Sequence, residues 1–182
     1  MTITYGPLTR ENFHPQSLDG FVRHQEVTKR WQMTAQGLVL VPEAFTEDWD
    51  LPKRREIAAT IAEGVAGGKV AFGAFHWGSV VGYFFLDNQP IGTQRQYLEL
   101  LLYHVSEPYR GRGIGKRLFA LGSEAARNAG ARKLYISAHP SQESQAAYRR
   151  LGCVDAVEII PAIAEREPFD IQMEYALSPL GA

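Results

Sequence analysis

The stretch "YRGRGIGKRLF" at residues 109–119 decides the fold prediction. Three glycines alternate there with two arginines and an isoleucine. Apolar residues then recur at the spacing of a buried helical face, namely Ile114, Leu118, Leu121 and Ala125. The pattern predicts a helix that begins near Ile114. Because a helix N-terminus has unpaired amides and partial positive charge, and glycines leave room beside those amides, the stretch predicts a site for a pyrophosphate or a similar polyanion.

Two common phosphate motifs do not fit this stretch. A P-loop would need glycine where Arg110 stands and Ser or Thr where Arg117 stands. A dinucleotide fingerprint that starts at Gly111 would need glycine or alanine at Lys116. What remains is a strand, a glycine loop and a helix, with added donors from the cationic side chains, including Arg112. The alternative interpretation is a tight turn with solvated arginines.

Composition restricts the class of protein. The 182 residues suffice for one well-buried domain, and the net charge of −1 gives no basic field for nucleic acid or an anionic membrane. The only cysteine, Cys153, excludes an internal disulfide framework and a cysteine-built metal site, and we predict no metal. The N-terminus lacks a signal-peptide core, and no run approaches the roughly 18 apolar residues of a membrane helix. We therefore expect a cytoplasmic monomer or homodimer.

The remaining sequence predicts a mixed α/β (α+β) domain. A first strand at "TITYGPL" is followed by a helix from Ser17 to about Gln32, the irregular acidic stretch "LVLVPEAFTEDWDLP", and a helix that starts near Asp50 and stops at Gly67-Gly68. Next come the hairpin "KVAFGAFHW" and "SVVGYFFLD", the strand "YLELLLYHV", the helix after the glycines and the strand "KLYISAH". A short helix from Ser141 to Leu151 precedes the strands "VDAVEII" and "FDIQMEYAL", which a helical turn at "PAIAEREP" joins. This order indicates one sheet with helices on both faces.

The glycine loop resembles a known family. Arg110-Gly111-Arg112-Gly113-Ile114-Gly115 is similar to the Arg/Gln-x-x-Gly-x-Gly/Ala loop of the GNAT acetyltransferase superfamily, and the closest match runs from Glu99 to Gly152. The resemblance implies a mostly antiparallel sheet of about seven strands with a splayed central pair. It also implies a single domain over 1–182, with residues up to about 68 on the acceptor side and about 69–177 as the acetyl-CoA-binding core.

The resemblance further implies that acetyl-CoA is the acyl donor and a primary amine the acceptor. The strand before the loop would bond the pantetheine arm through its main chain, with the Val105 amide as oxyanion donor. Ser141 and Ser144 stand where the family often has asparagine and alanine, although a serine hydroxyl can still bond the pantetheine. The expected cofactor-binding set is Tyr103, His104, Val105, Arg110, Gly111, Arg112, Gly113, Ile114, Gly115, Lys116, Ser141 and Ser144.

Acetyl transfer to an amine needs an uncharged amine, an oxyanion donor and a proton for the departing thiolate. Tyr148 stands where the family usually has the tyrosine that protonates the thiolate. Glu99 stands six residues before Val105, where the histone-type branch places its catalytic glutamate, and its apolar surroundings would raise its pKa. A water chain or His139 are the alternatives for the base.

The acceptor itself is left open by the sequence. We expect acceptor specificity to come from the N-terminal helices and the loop before the second one. That region holds aromatic residues and carboxylates suited to an ammonium group, among them Trp31, Phe45, Trp49, Glu26, Glu43, Glu47, Asp48 and Asp50. The same composition also suits a solvated acidic loop. A small amine, an antibiotic, an amino acid and a protein lysine all remain possible acceptors. A module that binds acetyl-CoA without catalysis is the alternative function.

Overall fold

A computed structural model of the chain describes residues 2–177, which form nine β-strands and four α-helices. The strands are β1 (Thr4–Pro7), β2 (His24–Thr34), β3 (Gly37–Asp48), β4 (Val70–His76), β5 (Ser79–Leu86), β6 (Tyr97–Val105), β7 (Lys133–Ala138), β8 (Val154–Asp155) and β9 (Ile171–Ala176). The helices are α1 (Leu51–Ala66), α2 (Ile114–Asn128), α3 (Gln142–Arg150) and α4 (Pro161–Arg166).

Seven of these strands form one sheet in the order β1-β4-β5-β6-β7-β9-β8. Every neighbouring pair is antiparallel except β6 and β7, which run parallel. Phe84 of β5 packs in one core with Leu118 of α2, whereas the next residue, Phe85, packs in a second core with Ile61 of α1. Since successive strand residues face opposite sides, helices cover both faces. The predicted mixed, mostly antiparallel sheet of about seven strands is confirmed.

Local signals placed several elements correctly. The Asp50 carboxylate accepts a hydrogen bond from the Lys53 amide at 2.8 Å and caps α1, which ends at Gly67. Trp77 and Gly78 take positive φ angles of 52° and 80° in the turn between β4 and β5. These are the predicted helix start and hairpin turn.

The predicted helix from Ser17 to about Gln32 is wrong, and so is the prediction that the stretch after it is irregular. β2 and β3 form a separate two-stranded ribbon that is paired from His24 opposite Asp48 to Thr34 opposite Gly37. β-branched and aromatic side chains favour an extended ribbon over a helix here. Gly37, with a φ of 105°, takes the left-handed conformation that closes the hairpin.

The predicted strand "VDAVEII" is only partly correct. Val154 and Asp155 pair with β9, and the chain then leaves the edge of the sheet. The Ala156 amide still bonds the Gln172 carbonyl at 2.9 Å, but the Val157 amide donates to the Glu174 side chain instead of to a strand. The predicted helical turn at "PAIAEREP" is present as α4.

The close packing of α2 on β5 gives a first prediction, for Gly122→Ala. A methyl group at Gly122 would overlap the ring of Phe84, which is fully buried. Overpacking of this kind costs typically 1–3 kcal/mol, more than the roughly 1 kcal/mol that alanine gains over glycine in a helix. We expect a lower free energy of unfolding in denaturant titration. Gly6→Ala, with no atom near the added methyl, is the control, and equal stabilities would contradict the packing.

Candidate active site

The central strand pair opens into a cleft. β6 and β7 are paired over three residues only, Tyr97–Glu99 against Lys133–Tyr135, and then diverge. A cleft of about 930 Å³ lies in the gap, walled by β6, the end of β7, α3, the β2–β3 hairpin and the segment between α4 and β9. The splayed strand pair is therefore present.

The main chain of β6 presents hydrogen-bonding groups to this cleft. Antiparallel neighbours alternate between bonded and non-bonded pairs. The Ser106 amide donates to the Val81 carbonyl of β5 at 2.9 Å, and the register continues with Val105 opposite Gly82. The peptide groups of Val105 and Tyr103 therefore face away from β5, toward the gap. An extended ligand in the gap would meet these groups as it would meet a neighbouring strand.

The glycine loop forms an open N-terminus for α2. Gly111 and Gly113 have φ angles of 73° and 77°, a conformation that favours glycine. Gly113 is the N-cap of α2 and offers no side-chain oxygen, so the first amides of the helix lack a cap. A β-carbon added at either glycine would meet no atom within 4 Å. The space above the first turn of α2 is therefore open to an anion.

Gly115 has a different reason to be glycine. A β-carbon at this position would lie 2.6 Å from the Tyr103 hydroxyl oxygen, too close for a non-bonded contact. The preceding residue, Ile114, is buried in the core and anchors the first turn of α2. Gly115 thus lets α2 approach β6 at the mouth of the cleft.

The loop's basic side chains have several roles. Arg110 donates from Nε to the Val105 carbonyl at 3.0 Å and from Nη1 to the His24 carbonyl at 2.7 Å, so it ties β2 to the end of β6. Arg112 donates to the Pro108 carbonyl at 3.1 Å. Lys116 is exposed on the first turn of α2. The Arg110 guanidinium therefore acts first as a link between strands.

Tyr148 of α3 lies at the wall of the cleft. Its ring centroid is 6.1 Å from that of Tyr103. Burial raises the pKa of Tyr148, and the neighbouring Tyr103 raises it further. The phenol therefore keeps its proton at neutral pH and can donate it.

The two predicted serines have different positions. Ser144 lines the cleft. Ser141 is fully buried as the N-cap of α3, where its hydroxyl accepts from the Gln25 side chain at 3.0 Å and donates to the Ser144 hydroxyl at 2.9 Å. The structure thus brings Ser144, but not Ser141, to the cleft surface.

The predicted base, Glu99, has a cationic partner. It lies at the point where β6 and β7 diverge, is 8% exposed, and its carboxylate bonds the Arg166 guanidinium of α4. This ion pair occupies a carboxylate oxygen that a base would use.

The histidines of the cleft are restricted as bases. The Nδ1 atom of His139 accepts from the Ser141 amide at 3.2 Å, so the neutral ring carries its proton on Nε2 and has no lone pair left there. Burial, together with Arg23 and Arg110, lowers the pKa of His104 to about 3. His104 is therefore too weak a base to hold a proton at neutral pH.

Asp170 is a cleft residue that the sequence did not single out. It directly precedes β9, beside the end of β7, and Oδ2 accepts from the Ser137 hydroxyl at 3.2 Å. Burial raises the pKa of Asp170, and the nearby Glu167 raises it further. No sequence signal marks this residue, because its neighbours come from separate segments of the chain.

The aromatic and acidic residues that were expected on the acceptor side lie on or next to the β2–β3 hairpin. Phe45 lies 5.9 Å from the His139 ring and Trp49 lies 5.1 Å from the His104 ring, as centroid distances. Trp31 instead lines a second groove away from the cleft. Of the five carboxylates, Glu26 and Glu47 line the cleft. The others pair with Arg30 or His24 or cap α1, namely Glu43, Asp48 and Asp50.

A protein-family model identifies the family of this chain. The acetyltransferase (GNAT) family model matches residues 36–153, more than half of the chain. The chain belongs to the acetyltransferase (GNAT) family. It is an acetyl-CoA-dependent N-acetyltransferase, as the glycine loop implied. Among curated proteins, no sequence matches this acetyltransferase.

Solved structures share the fold of this acetyltransferase at low sequence identity. Nourseothricin acetyltransferase matches with a TM-score of 0.72 and 17% identity over 98% of this chain and all (100%) of the other. A Bacillus anthracis protein, provisionally named a streptothricin acetyltransferase, was solved with acetyl coenzyme A. It matches with a TM-score of 0.71 and 14% identity over 98% of this chain and 100% of its own. PaiA N-acetyltransferase from Thermoplasma acidophilum, solved with coenzyme A, matches with a TM-score of 0.64 and 16% identity over 97% of this chain and 99% of its own.

The residues of this acetyltransferase fit acetyl-CoA. The uncapped first turn of α2 and the open space at Gly111 and Gly113 form a cradle for a polyanion. The peptide groups of Tyr103 and the Val105 amide face the gap and can bond an extended amide chain in the cleft, whereas Arg110 bonds the Val105 carbonyl. When bound, acetyl-CoA supplies the activated acyl group.

The described residues were also compared with the requirements of a metal site and of a membrane-spanning helix. Within residues 2–177, no three His, Cys, Asp or Glu side chains are arranged to hold a metal ion. None of the helices in this range has the length and apolar character that crossing a membrane would require.

Proposed function

We propose that this acetyltransferase acetylates a primary amine of a small, positively charged molecule. The supporting observation is the charge of the cleft. Seven carboxylates line it: Glu26, Glu47, Glu99, Glu107, Glu143, Glu167 and Asp170. Three arginines line it: Arg23, Arg110 and Arg166. Excess negative charge in a low-dielectric cleft attracts a cationic substrate and repels an anionic one.

Pairing leaves much of this negative charge without a cation. Arg23 bonds Glu47 at 2.6 Å, and Arg166 bonds Glu99. The Arg110 guanidinium bonds two main-chain carbonyls. Glu143 on α3, and Glu167 and Asp170 on the loop before β9, are then the carboxylates that favour an ammonium group of the acceptor.

The size of the cleft favours a small acceptor over a lysine on a folded protein. The Trp31 amide of β2 donates to the Pro140 carbonyl at 2.8 Å, and Gln25 bonds Ser141 at the start of α3. The β2–β3 hairpin is thereby tied across one side of the cleft. The remaining volume of about 930 Å³ is within the usual range for small-molecule sites and must also hold part of the donor.

The residues are assigned the following roles in the reaction. The amides of Gly111–Lys116 hold the donor's pyrophosphate, and the main chain of Tyr103 and Val105 holds its pantetheine arm. The Val105 amide stabilises the oxyanion as the C–N bond forms. Tyr148 then donates its proton to the sulfur as the C–S bond breaks. These roles follow the family resemblance and agree with the positions described above.

A panel of amines tests the acceptor class. The panel contains nourseothricin, streptothricin, spermidine, lysine, a lysine peptide and, as the anionic control, glutamate. The first two are included because two structural neighbours are named for them. We expect the highest kcat/KM for amines with several positive charges, and a fall in kcat/KM as salt screens the attraction. A preference for glutamate, or no salt dependence, would contradict the proposed acceptor class.

A further inference from the structure

The cleft contains one carboxylate that is well placed and has no assigned role. Asp170 lies on the loop between α4 and β9, beside the end of β7, and lines the cleft. Its Oδ2 atom accepts from the Ser137 hydroxyl at 3.2 Å. Among residues 2–177, no hydrogen bond or ion pair uses Oδ1. One carboxylate oxygen is therefore available to a ligand.

The other candidate bases of the cleft are less suited to the role. Four of its carboxylates are exposed to solvent, namely Glu26, Glu107, Glu143 and Glu167, whereas Asp170 is partly buried. Glu99 bonds the Arg166 guanidinium. His139 uses Nδ1 to accept from the Ser141 amide. His104, with a pKa of about 3, is too weak a base to take up a further proton at neutral pH. Asp170 has neither a cation at its carboxylate nor a donor on its second oxygen.

The groups that face Asp170 increase its proton affinity. Burial is the main cause of its raised pKa, followed by the charge of Glu167 on the same loop. Glu47 of β3 adds to the effect, whereas His139 and the Ser137 hydroxyl oppose it. A higher pKa brings the carboxylate closer to the pKa of an amine, which makes proton transfer to it less unfavourable.

Asp170 also interacts with Tyr148, the proposed proton donor to the leaving thiolate. Its charge contributes to raising the pKa of Tyr148, so the two side chains act on each other across the cleft. Tyr148 loses a proton during the reaction, and a nearby group that gains one would keep the charge of the site constant.

We propose that Asp170 is the general base that accepts the proton of the acceptor ammonium. The inference rests on the proposed function. Asp170 takes one proton of the ammonium, the neutral nitrogen forms a bond to the acyl carbon, and the C–S bond breaks as the thiolate takes the proton of Tyr148. The second proton that the nitrogen loses on becoming an amide restores the Tyr148 phenol. Asp170 holds the acceptor's proton and later passes it to solvent. No oxidant, metal or further reactant is needed.

Asp170→Asn tests this role against Asp155→Asn, the same change at an exposed aspartate outside the cleft that is paired with Arg149. We expect Asp170→Asn to lower kcat about 10²–10⁴-fold at neutral pH, the usual worth of a positioned base. The loss should shrink as pH rises, because more acceptor is then already neutral. Acetyl-CoA affinity should persist in calorimetry, and Asp155→Asn should retain the wild-type pH profile.

Chemical rescue separates a base from a merely structural residue. Asp170→Ala removes the carboxylate and leaves space for a small anion. Added formate should restore part of its turnover and should not stimulate the wild type. Loss that is equal at every pH and unaffected by formate would overturn the proposal, as would the pH-dependent loss occurring in Glu99→Gln instead. A wild-type protein that acetylates no amine would refute the proposed function, whereas an active wild type matched by Asp170→Asn would refute only this inference.

Discussion

Replacing Tyr148 with phenylalanine should lower turnover about 10²–10⁴-fold and leave acetyl-CoA affinity nearly unchanged. Phenylalanine keeps the ring contact with Tyr103 and removes only the hydroxyl. A thiol leaving group has a pKa near 8.5, taking the cysteine value, so its thiolate leaves more readily when a phenol supplies a proton. Pre-steady-state thiol release measures the chemical step directly.

The pH dependence and a matched variant sharpen this test. Because burial raises the pKa of Tyr148, the phenol stays protonated to higher pH than an ordinary tyrosine. The wild-type rate should therefore show no alkaline fall from this group below about pH 10. Tyr175→Phe, in a half-buried β9 tyrosine packed on Phe119, is the control and should retain full turnover. Near-normal turnover of Tyr148→Phe would assign proton donation to water.

Gly113→Val should abolish acetyl-CoA binding. The valine side chain would project into the open space above the first turn of α2, where the pyrophosphate is proposed to sit. It would also have to hold a φ of 77°, which a β-branched residue rarely adopts. Calorimetry should detect no binding at concentrations that saturate the wild type.

Gly130→Val controls for backbone strain. Gly130 follows the other end of α2, has a φ of 89°, and likewise has no atom within 4 Å of an added β-carbon. Both variants should therefore lose similar stability in thermal denaturation, and only Gly113→Val should lose the ligand. Retained affinity in a folded Gly113→Val protein, or equal loss in both, would refute the glycine loop as the pyrophosphate site.

The predictions that held came from strong local signals. Positive-φ glycines such as Gly78 and Gly113, the Asp50 cap and the apolar spacing after Ile114 each restrict the nearby backbone. From Val70 onward these signals follow one another closely, so the order of elements could be read from the sequence. The edge strand β8 was predicted too long, because pairing with β9 ends for reasons of tertiary structure.

The N-terminal hairpin could not be predicted in the same way. Leu18, Phe21 and Val22 have the spacing of a helical face, yet the first two are buried in a segment of turns. β2 is specified by its pairing with β3 and by its bond to Pro140, and both partners are distant in sequence. Such contacts overrule weak local preferences.

The candidate site was predictable only where it follows the family's loop. The glycine loop, Tyr148 and Glu99 could be placed by motif. The partners of the candidate bases could not be predicted, because they come from distant segments or from the main chain. Arg166 of α4 bonds Glu99, and the Ser141 amide donates to the Nδ1 atom of His139. Asp170 lies at the cleft because β9 pairs with β7. This strand order has no short sequence pattern that would predict it.

The most direct test of the account follows a labelled acetyl group. The purified protein is incubated with acetyl-CoA carrying a labelled acetyl group and each cationic amine of the panel, and thiol release is measured beside mass spectrometry of the amine. We predict one labelled acetyl group on the amine for each thiol released, with a product that behaves as an amide. Tight binding of acetyl-CoA without consumption would indicate a non-catalytic module, and thiol release without acetylated amine would indicate hydrolysis. Either result would contradict acetyl transfer to a cationic amine.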